Sequence, residues 1–151
     1  MIETSPQFKH FNELTTDELY AILQLRMEVF VVEQNCVYQD LDEKDKDSIH
    51  MVWYDKNQRI IGTCRVLPPG LSYPEISIGR IVTSPSVRGN GLGHQLMREV
   101  LGFIKVNYIG HTSIRISAQS HLESFYQSHG FCTTGKEYLE DGIPHMEMIL
   151  T

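Results

Sequence analysis

Arg88, with glycines following at 89, 91 and 93, is the part of this 151-residue chain whose residue types and spacing point most directly to chemistry. The glycines remove side chains where a helical pattern is about to begin, so bare backbone N–H groups can close around an anion at the helix's positive end. Arg88 adds a full charge at the lip. A phosphate or pyrophosphate suits such a cradle. A nucleotide-hydrolysing loop needs Gly-Lys-Ser/Thr after its glycines, whereas Gly93 is followed by His94 and Gln95. A dinucleotide turn needs Gly-x-Gly-x-x-Gly inside a parallel βαβ unit. Here the spacing is Gly-x-Gly-x-Gly, and the preceding segments pattern as antiparallel strands.

Other chemistries find little support. The seven histidines are dispersed without His-x-x-x-His or paired Cys/His spacing, so no metal site is expected, and no Gly-x-Ser-x-Gly elbow offers a serine nucleophile. Cys36, Cys64 and Cys132 are odd in number and lack Cys-x-x-Cys spacing, which points to reduced thiols. A net charge of −6 with no basic cluster argues against nucleic acid. No apolar run approaches the ~20 residues that span a bilayer, and the N-terminus lacks a signal-peptide pattern, so the expectation is a cytoplasmic protein with no membrane partner. With 41% hydrophobic and 21% charged residues, one globular domain is expected.

The elements that must position the loop are readable in the periodicity. Thr15 and Glu18 form a capping-box pattern, and Leu19, Ile22, Leu23, Met27, Val29 and Phe30 give a helix over 16–33 its apolar face, interrupted by Arg26. From 35 to 48 the pattern is lost; Asp40, Asp42, Glu43, Asp45 and Asp47 read as a solvated loop able to attract a cationic amine. Strands are expected at 49–54 and 59–67 around the turn Asp55-Lys56-Asn57-Gln58, and another at 75–83 before the glycine loop. Leu92, Leu96, Val100, Phe103 and Ile104 mark an amphipathic helix. A strand at 113–118, a short helix at 122–126 capped near Gly130, and strands at 131–138 and 145–150 complete the order β, α, three β, α, β, α, β, β.

The spacing Arg88-x-x-Gly91-x-Gly93 and that order resemble the GNAT superfamily of acetyl-CoA-dependent N-acetyltransferases. Closer similarity lies with its ElaA-like branch, through Leu25–Cys36, Tyr38-Gln39-Asp40, Ile78-Gly79-Arg80, Ala118–Leu122, Phe125–Ser128 and Glu140–His145. The resemblance covers nearly the whole chain. It implies a single α/β domain over 1–151 with a mixed, mostly antiparallel central sheet flanked by helices. It implies acetyl-CoA as cosubstrate, its pyrophosphate held by Arg88, Gly89, Asn90, Gly91, Leu92 and Gly93. Strand 77–83 should diverge from strand 113–118 at a bulge, leaving backbone at Ile81, Val82 and Thr83 for the pantetheine amides. The N–H of Val82 is the first choice to stabilise an oxyanion. Tyr126 would be the general acid, since a phenol stays protonated at neutral pH, and Gln119 would contact the CoA arm.

For the acceptor, Glu33 is the leading general base and His145 the alternative. Arg26, Arg65 and Arg80 either line the acceptor pocket with Glu33 or a substrate carboxylate, or form internal ion pairs that fix the sheet; Arg65 and Arg80 are placed opposite each other on adjacent strands. The expected activity is direct acetyl transfer to a primary amine, without a cysteine intermediate and without metal. The alternative is a CoA-binding sensor lacking turnover. Transfer of a longer acyl chain is a more distant option, because Leu25-Arg26-x-x-Val29-Phe30-x-x-Glu33 resembles acyl-homoserine lactone synthases. The acceptor's identity stays open, as does a homodimer.

Overall fold

The computed structural model describes residues 3–111 and 113–151. The elements run β1 (Gln7–His10), α1 (Thr16–Arg26), β2 (Ile49–Tyr54), β3 (Ile60–Leu67), β4 (Ser77–Thr83), α2 (Leu92–Asn107), β5 (Ile114–Gln119), α3 (Glu123–Gln127), β6 (Cys132–Glu140) and β7 (Ile143–Leu150). This is the expected order. The capping box forms, with Thr15 Oγ1 accepting from Glu18 N–H at 3.1 Å and the Glu18 carboxylate accepting from Thr15 N–H at 2.9 Å. α1 ends earlier than the apolar pattern suggested. Over Met27–Glu33 the rod continues with π winding, visible in the five-residue bonds from Gln34 N–H to Val29 O and from Cys36 N–H to Val31 O, both 3.0 Å. Such wide turns re-aim side chains and recur at functional sites; here the re-aimed residues are Glu33 and Gln34.

Antiparallel pairing gives one half-sheet in the order β1-β2-β3-β4 and a second in the order β5-β7-β6. The halves meet at a parallel bridge, Ile76 with Ile114, where Arg115 N–H donates to Ile76 O at 3.0 Å. Beyond it β4 and β5 form no ladder, so the central sheet is split along one seam. α2 covers the sheet through Leu96, Met97 and Val100, all at 0% exposure, against Met51, Trp53 and Met148. Burying each such side chain contributes about 1.5–3 kcal/mol. Phe103, on the margin of the same stripe, stacks on Phe8 at 4.1 Å.

Two expectations are corrected here. Arg65 stands opposite Gly79 rather than Arg80, because β4 carries a bulge: Thr63 pairs with Val82 and Arg65 with Gly79, leaving Arg80 and Ile81 opposite Cys64. The acidic loop is solvated only in part: Glu43 and Asp47 are exposed as expected, whereas its other aspartates turn inward. Asp40 and Asp45 are only 2% and 6% exposed, because the three arginines draw their carboxylates inward.

Candidate active site

The glycine loop has the backbone that its sequence required. Gly89 and Gly91 adopt φ of 87° and 73°, the left-handed region that costs an L side chain roughly 1–2 kcal/mol, and Gly91 is the N-cap of α2. The first helical bond of this turn runs from Gln95 N–H to Gly91 O at 3.1 Å, so the N–H groups of Leu92, Gly93 and His94 have no acceptor within the helix. Asn90 braces the loop through its side-chain amide, which donates to Val87 O at 3.1 Å. Arg88 sits at the edge of this cradle. Its guanidinium is held by Glu33 through two contacts of 2.7 Å.

Next to the cradle lies the seam between β4 and β5. Ser84 N–H donates to Ile61 O at 2.8 Å, and a Cβ on Gly62 would lie 3.6 Å from Val82 O. Both distances turn the backbone of Val82 toward β3. By the two-residue alternation of a strand, the groups of Ile81 and Thr83 point the other way, toward the seam. The backbone N–H of Val82, expected to face a thioester, is thus turned toward β3, while those of Ile81 and Thr83 face the seam.

The seam opens into a cleft of about 860 Å³, whose walls include Glu33, Gln34, Arg65, Arg80, Ile81, Val82, Thr83, Arg88, Gln119, Tyr126 and His145. Most of the residues singled out in the sequence thus converge, while Gly89–Gly93 lie just outside and Arg26 behind the wall. Tyr126 is 6% exposed, packed edge-on against Phe125 at 5.1 Å and Phe131 at 6.0 Å. Burial, with a smaller contribution from neighbouring Cys64, pushes its phenol well above the usual tyrosine range. No residue among those described hydrogen-bonds its hydroxyl. Cys64 is itself 1% exposed and its thiol is raised by burial, so it holds its proton and is a poor nucleophile.

His145 is 7% exposed and lies in β7, opposite Gln119 of β5 and Tyr138 of β6. Its Nδ1 is 2.7 Å from Ile143 O. A carbonyl only accepts, so the neutral ring carries its proton on Nδ1 and turns the Nε2 lone pair toward the Glu140 carboxylate. Glu140 stands 3.3 Å from Nε2, placed to stabilise an imidazolium, and Tyr138 stacks on the ring at 6.2 Å. Glu33 is less well suited to be a base. The Arg88 hydrogen bond lowers its carboxyl below the ordinary range, which favours the carboxylate and weakens its pull on a proton. Its partner is Arg88, not Arg65 or Arg80 as one expectation had it.

The three arginines resolve into internal ion pairs. Arg26 is 1% exposed, with Nε 2.8 Å from Asp40 and Nη1 2.8 Å from Asp45. Arg65 holds Asp42 at 2.6 and 2.7 Å and Asp45 at 2.9 Å. Arg80 Nε lies 2.8 Å from Asp40, its Nη2 donates to Asp40 O at 2.9 Å, and its guanidinium covers the Tyr38 ring. Three cations meet three anions, leaving no spare charge for a substrate carboxylate, and Arg26 cannot reach the cleft at all. Only Arg80, with 22% of its side chain exposed, still faces a ligand. Burial alone would raise Asp42 and Asp45, but arginine hydrogen bonds and charge outweigh it and hold both carboxyls low. His50 Nε2 donates to Asp45 O at 2.8 Å, and burial keeps its pKa low. The aspartates are what sequence reasoning missed. Three arginines assigned to one pocket required as many carboxylates, and the 40–45 segment supplied them.

No helix among the described residues is long and apolar enough to cross a membrane. Among them no group of three or more His, Cys, Asp or Glu is placed to hold a metal ion. A family model described as an acetyltransferase (GNAT) domain matches residues 12–151. The chain is 41% identical to protein ElaA of Escherichia coli K12 over 141 residues, covering 92% of this chain and 91% of that one. The crystal structure of E. coli ElaA superposes with a TM-score of 0.87 at 39% identity, over 98% of this chain and 100% of that one. An acyl-CoA N-acyltransferase from Pseudomonas aeruginosa superposes with a TM-score of 0.90 at 39% identity, over 98% and 100% of the two chains. A CoA-dependent acyl-homoserine lactone synthase, BjaI, shares the fold, with a TM-score of 0.75 at 19% identity over 94% of this chain and 80% of that one.

Proposed function

The chain belongs to the GNAT acetyltransferase family, and from that premise we propose that it moves an acetyl group from acetyl-CoA directly to a primary amine. The observation that carries this reading is the seam. A glycine cradle at its mouth, outward-facing backbone at Ile81 and Thr83 along its side, and Tyr126 with His145 in its cleft lie in the order a phosphopantetheine thioester and an amine would need. The pantetheine amides add to the exposed edge of β4 as an extra strand would. His145 Nε2 takes the proton of the attacking ammonium, and Glu140 steadies the imidazolium. The amine nitrogen bonds to the carbonyl carbon, a β4 N–H receives the oxyanion, and the C–S bond breaks as Tyr126 gives its proton to the departing sulfur; the second proton of the former ammonium then leaves the amide nitrogen and restores the phenol.

Burial keeps Tyr126 protonated at neutral pH but makes it a weaker acid, so its proton must move in concert with C–S cleavage rather than before it. Direct transfer needs no cysteine intermediate, in keeping with the protonated state of Cys64. The test is the release of free thiol from acetyl-CoA across a panel of amines, amino acids, polyamines and peptide N-termini. Turnover that disappears in Y126F and H145Q supports the reading, and CoA binding without turnover on any amine replaces it with a sensor.

A further inference from the structure

Glu33 and Gln34 bridge the mouth of the seam in two places. Glu33 holds Arg88, 55 residues away on the β4–α2 loop, and Gln34 exchanges side-chain amide bonds of 3.2 and 3.4 Å with Gln119, 85 residues away at the end of β5. The two bridges tie the π-wound segment to both sides of the opening between β4 and β5. Their partners, Arg88 and Gln119, are both among the residues to which the family resemblance assigned CoA contacts. We propose that residues 33–34 form a strap that closes the CoA-binding seam in the free protein and yields both partners when acetyl-CoA enters.

The chemistry of the bridges favours exchange over permanent structure. The Glu33 and Arg88 side chains are 42% and 43% exposed, so water screens their attraction and opening is cheap. The amide pair is neutral, and its bonds sit at the long end of the usual range. A pyrophosphate brings more than one negative charge to Arg88 and also fills the N–H groups of Leu92, Gly93 and His94, which the Glu33 carboxylate leaves unused. Glu28 contributes a further negative field at Arg88, holding its guanidinium on the strap side until a stronger anion arrives. The π winding of Met27–Glu33 supplies the movable stem, since its wide turn can tighten without unfolding α1.

This inference rests on the acetyl-CoA reading, and the experiment separates the two. Calorimetry measures acetyl-CoA binding to the wild type, E33Q, R88Q and E33Q/R88Q, with S-acetylpantetheine, which lacks the pyrophosphate, as second ligand. Removing the competing carboxylate should tighten acetyl-CoA binding about two- to five-fold in E33Q, the range expected for losing an exposed bidentate pair. R88Q should weaken it, the E33Q gain should vanish in the double variant, and uncharged S-acetylpantetheine, which must enter the same seam, should also bind E33Q more tightly than wild type. Q34A should add a gain of its own. Unchanged or weaker binding by E33Q overturns the strap while leaving the acetyl-CoA reading intact. So does an E33Q gain that persists without Arg88, which would be general charge repulsion. Absence of binding by every variant overturns both.

Discussion

Replacing Tyr126 with phenylalanine separates packing from proton donation, because it should leave stability nearly unchanged while activity falls. The ring is 6% exposed and keeps its edge contacts with Phe125 and Phe131 in the variant. The hydroxyl has no hydrogen-bond partner among the described residues. The hydroxyl opens onto the cleft, so deleting it should leave stability within about 0.5 kcal/mol, or roughly 1–2 °C in Tm for a chain of this size. Loss of a positioned proton donor should lower kcat by about 10²- to 10⁴-fold, or roughly 2.7–5.4 kcal/mol of barrier, with KM for acetyl-CoA little changed. Thermal melts and thiol-release kinetics on the same preparation read both. Because burial raises this phenol, the wild type should also show no alkaline loss of activity attributable to it up to about pH 10. A variant that melts several degrees lower and turns over normally would refute the assignment, as would an alkaline limb near pH 9 that Y126F removes.

The arginine–aspartate network makes sharp demands. D45N leaves the buried guanidiniums of Arg26 and Arg65 undercompensated and should cost about 3–5 kcal/mol in chemical denaturation, while R80M, at a partly exposed position, should cost less; equal losses would count against the network as described. Asp42 and Asp45 are held below their unfolded pKa, so their contribution is complete above that value and is lost as pH falls toward the folded one. Stability should fall modestly below about pH 6.5, as the buried, neutral His50 resists protonation, and then drop steeply below about pH 4; a midpoint insensitive to acid would contradict the pairing. Replacing Cys36, Cys64 and Cys132 together by alanine should leave kcat within about threefold at a temperature where the variant is folded. An acetyl-cysteine trapped on the route would end the direct-transfer mechanism.

How much of this was legible in the sequence depended on whether the signal was local. The capping box at Thr15 and Glu18, the α2 stripe and the glycine loop are set by neighbours in the chain, and each appears where periodicity and turn chemistry put it. The seam at residues 81–83 came through the family resemblance, but which backbone groups face it did not. That parity is decided by a bulge opposite Cys64, and one inserted residue reverses the direction of every group beyond it. The acidic loop failed for a related reason. Five acidic residues in eight positions look solvated until Arg26, Arg65 and Arg80, from three separate elements, are folded against them. Preference between Glu33 and His145 likewise needed three-dimensional partners: a guanidinium for one, a carbonyl on Nδ1 for the other.

The network and the seam are mechanically one device. Arg80 sits in the β4 bulge at φ of 50°, a left-handed conformation costing a non-glycine residue roughly 1–2 kcal/mol, and no turn sequence compensates for it locally. What holds it is its side chain. Asp40 stands 2.8 Å from Arg80 Nε as an ion pair and, through its backbone carbonyl, accepts from Nη2, and Asp40 is in turn fixed by Arg26 from α1 and by the Tyr38 hydroxyl at 2.7 Å. The bulge interrupts the alternation of β4 just before the groups of Ile81 and Thr83 turn toward the seam. Buried charges that add little net stability can therefore persist because they maintain a strained backbone in the conformation that offers main-chain groups to a ligand. On this view the aspartates act on acyl-CoA binding through Arg80 and the bulge without touching the substrate, and the acidic segment belongs to the site although none of its carboxylates does chemistry.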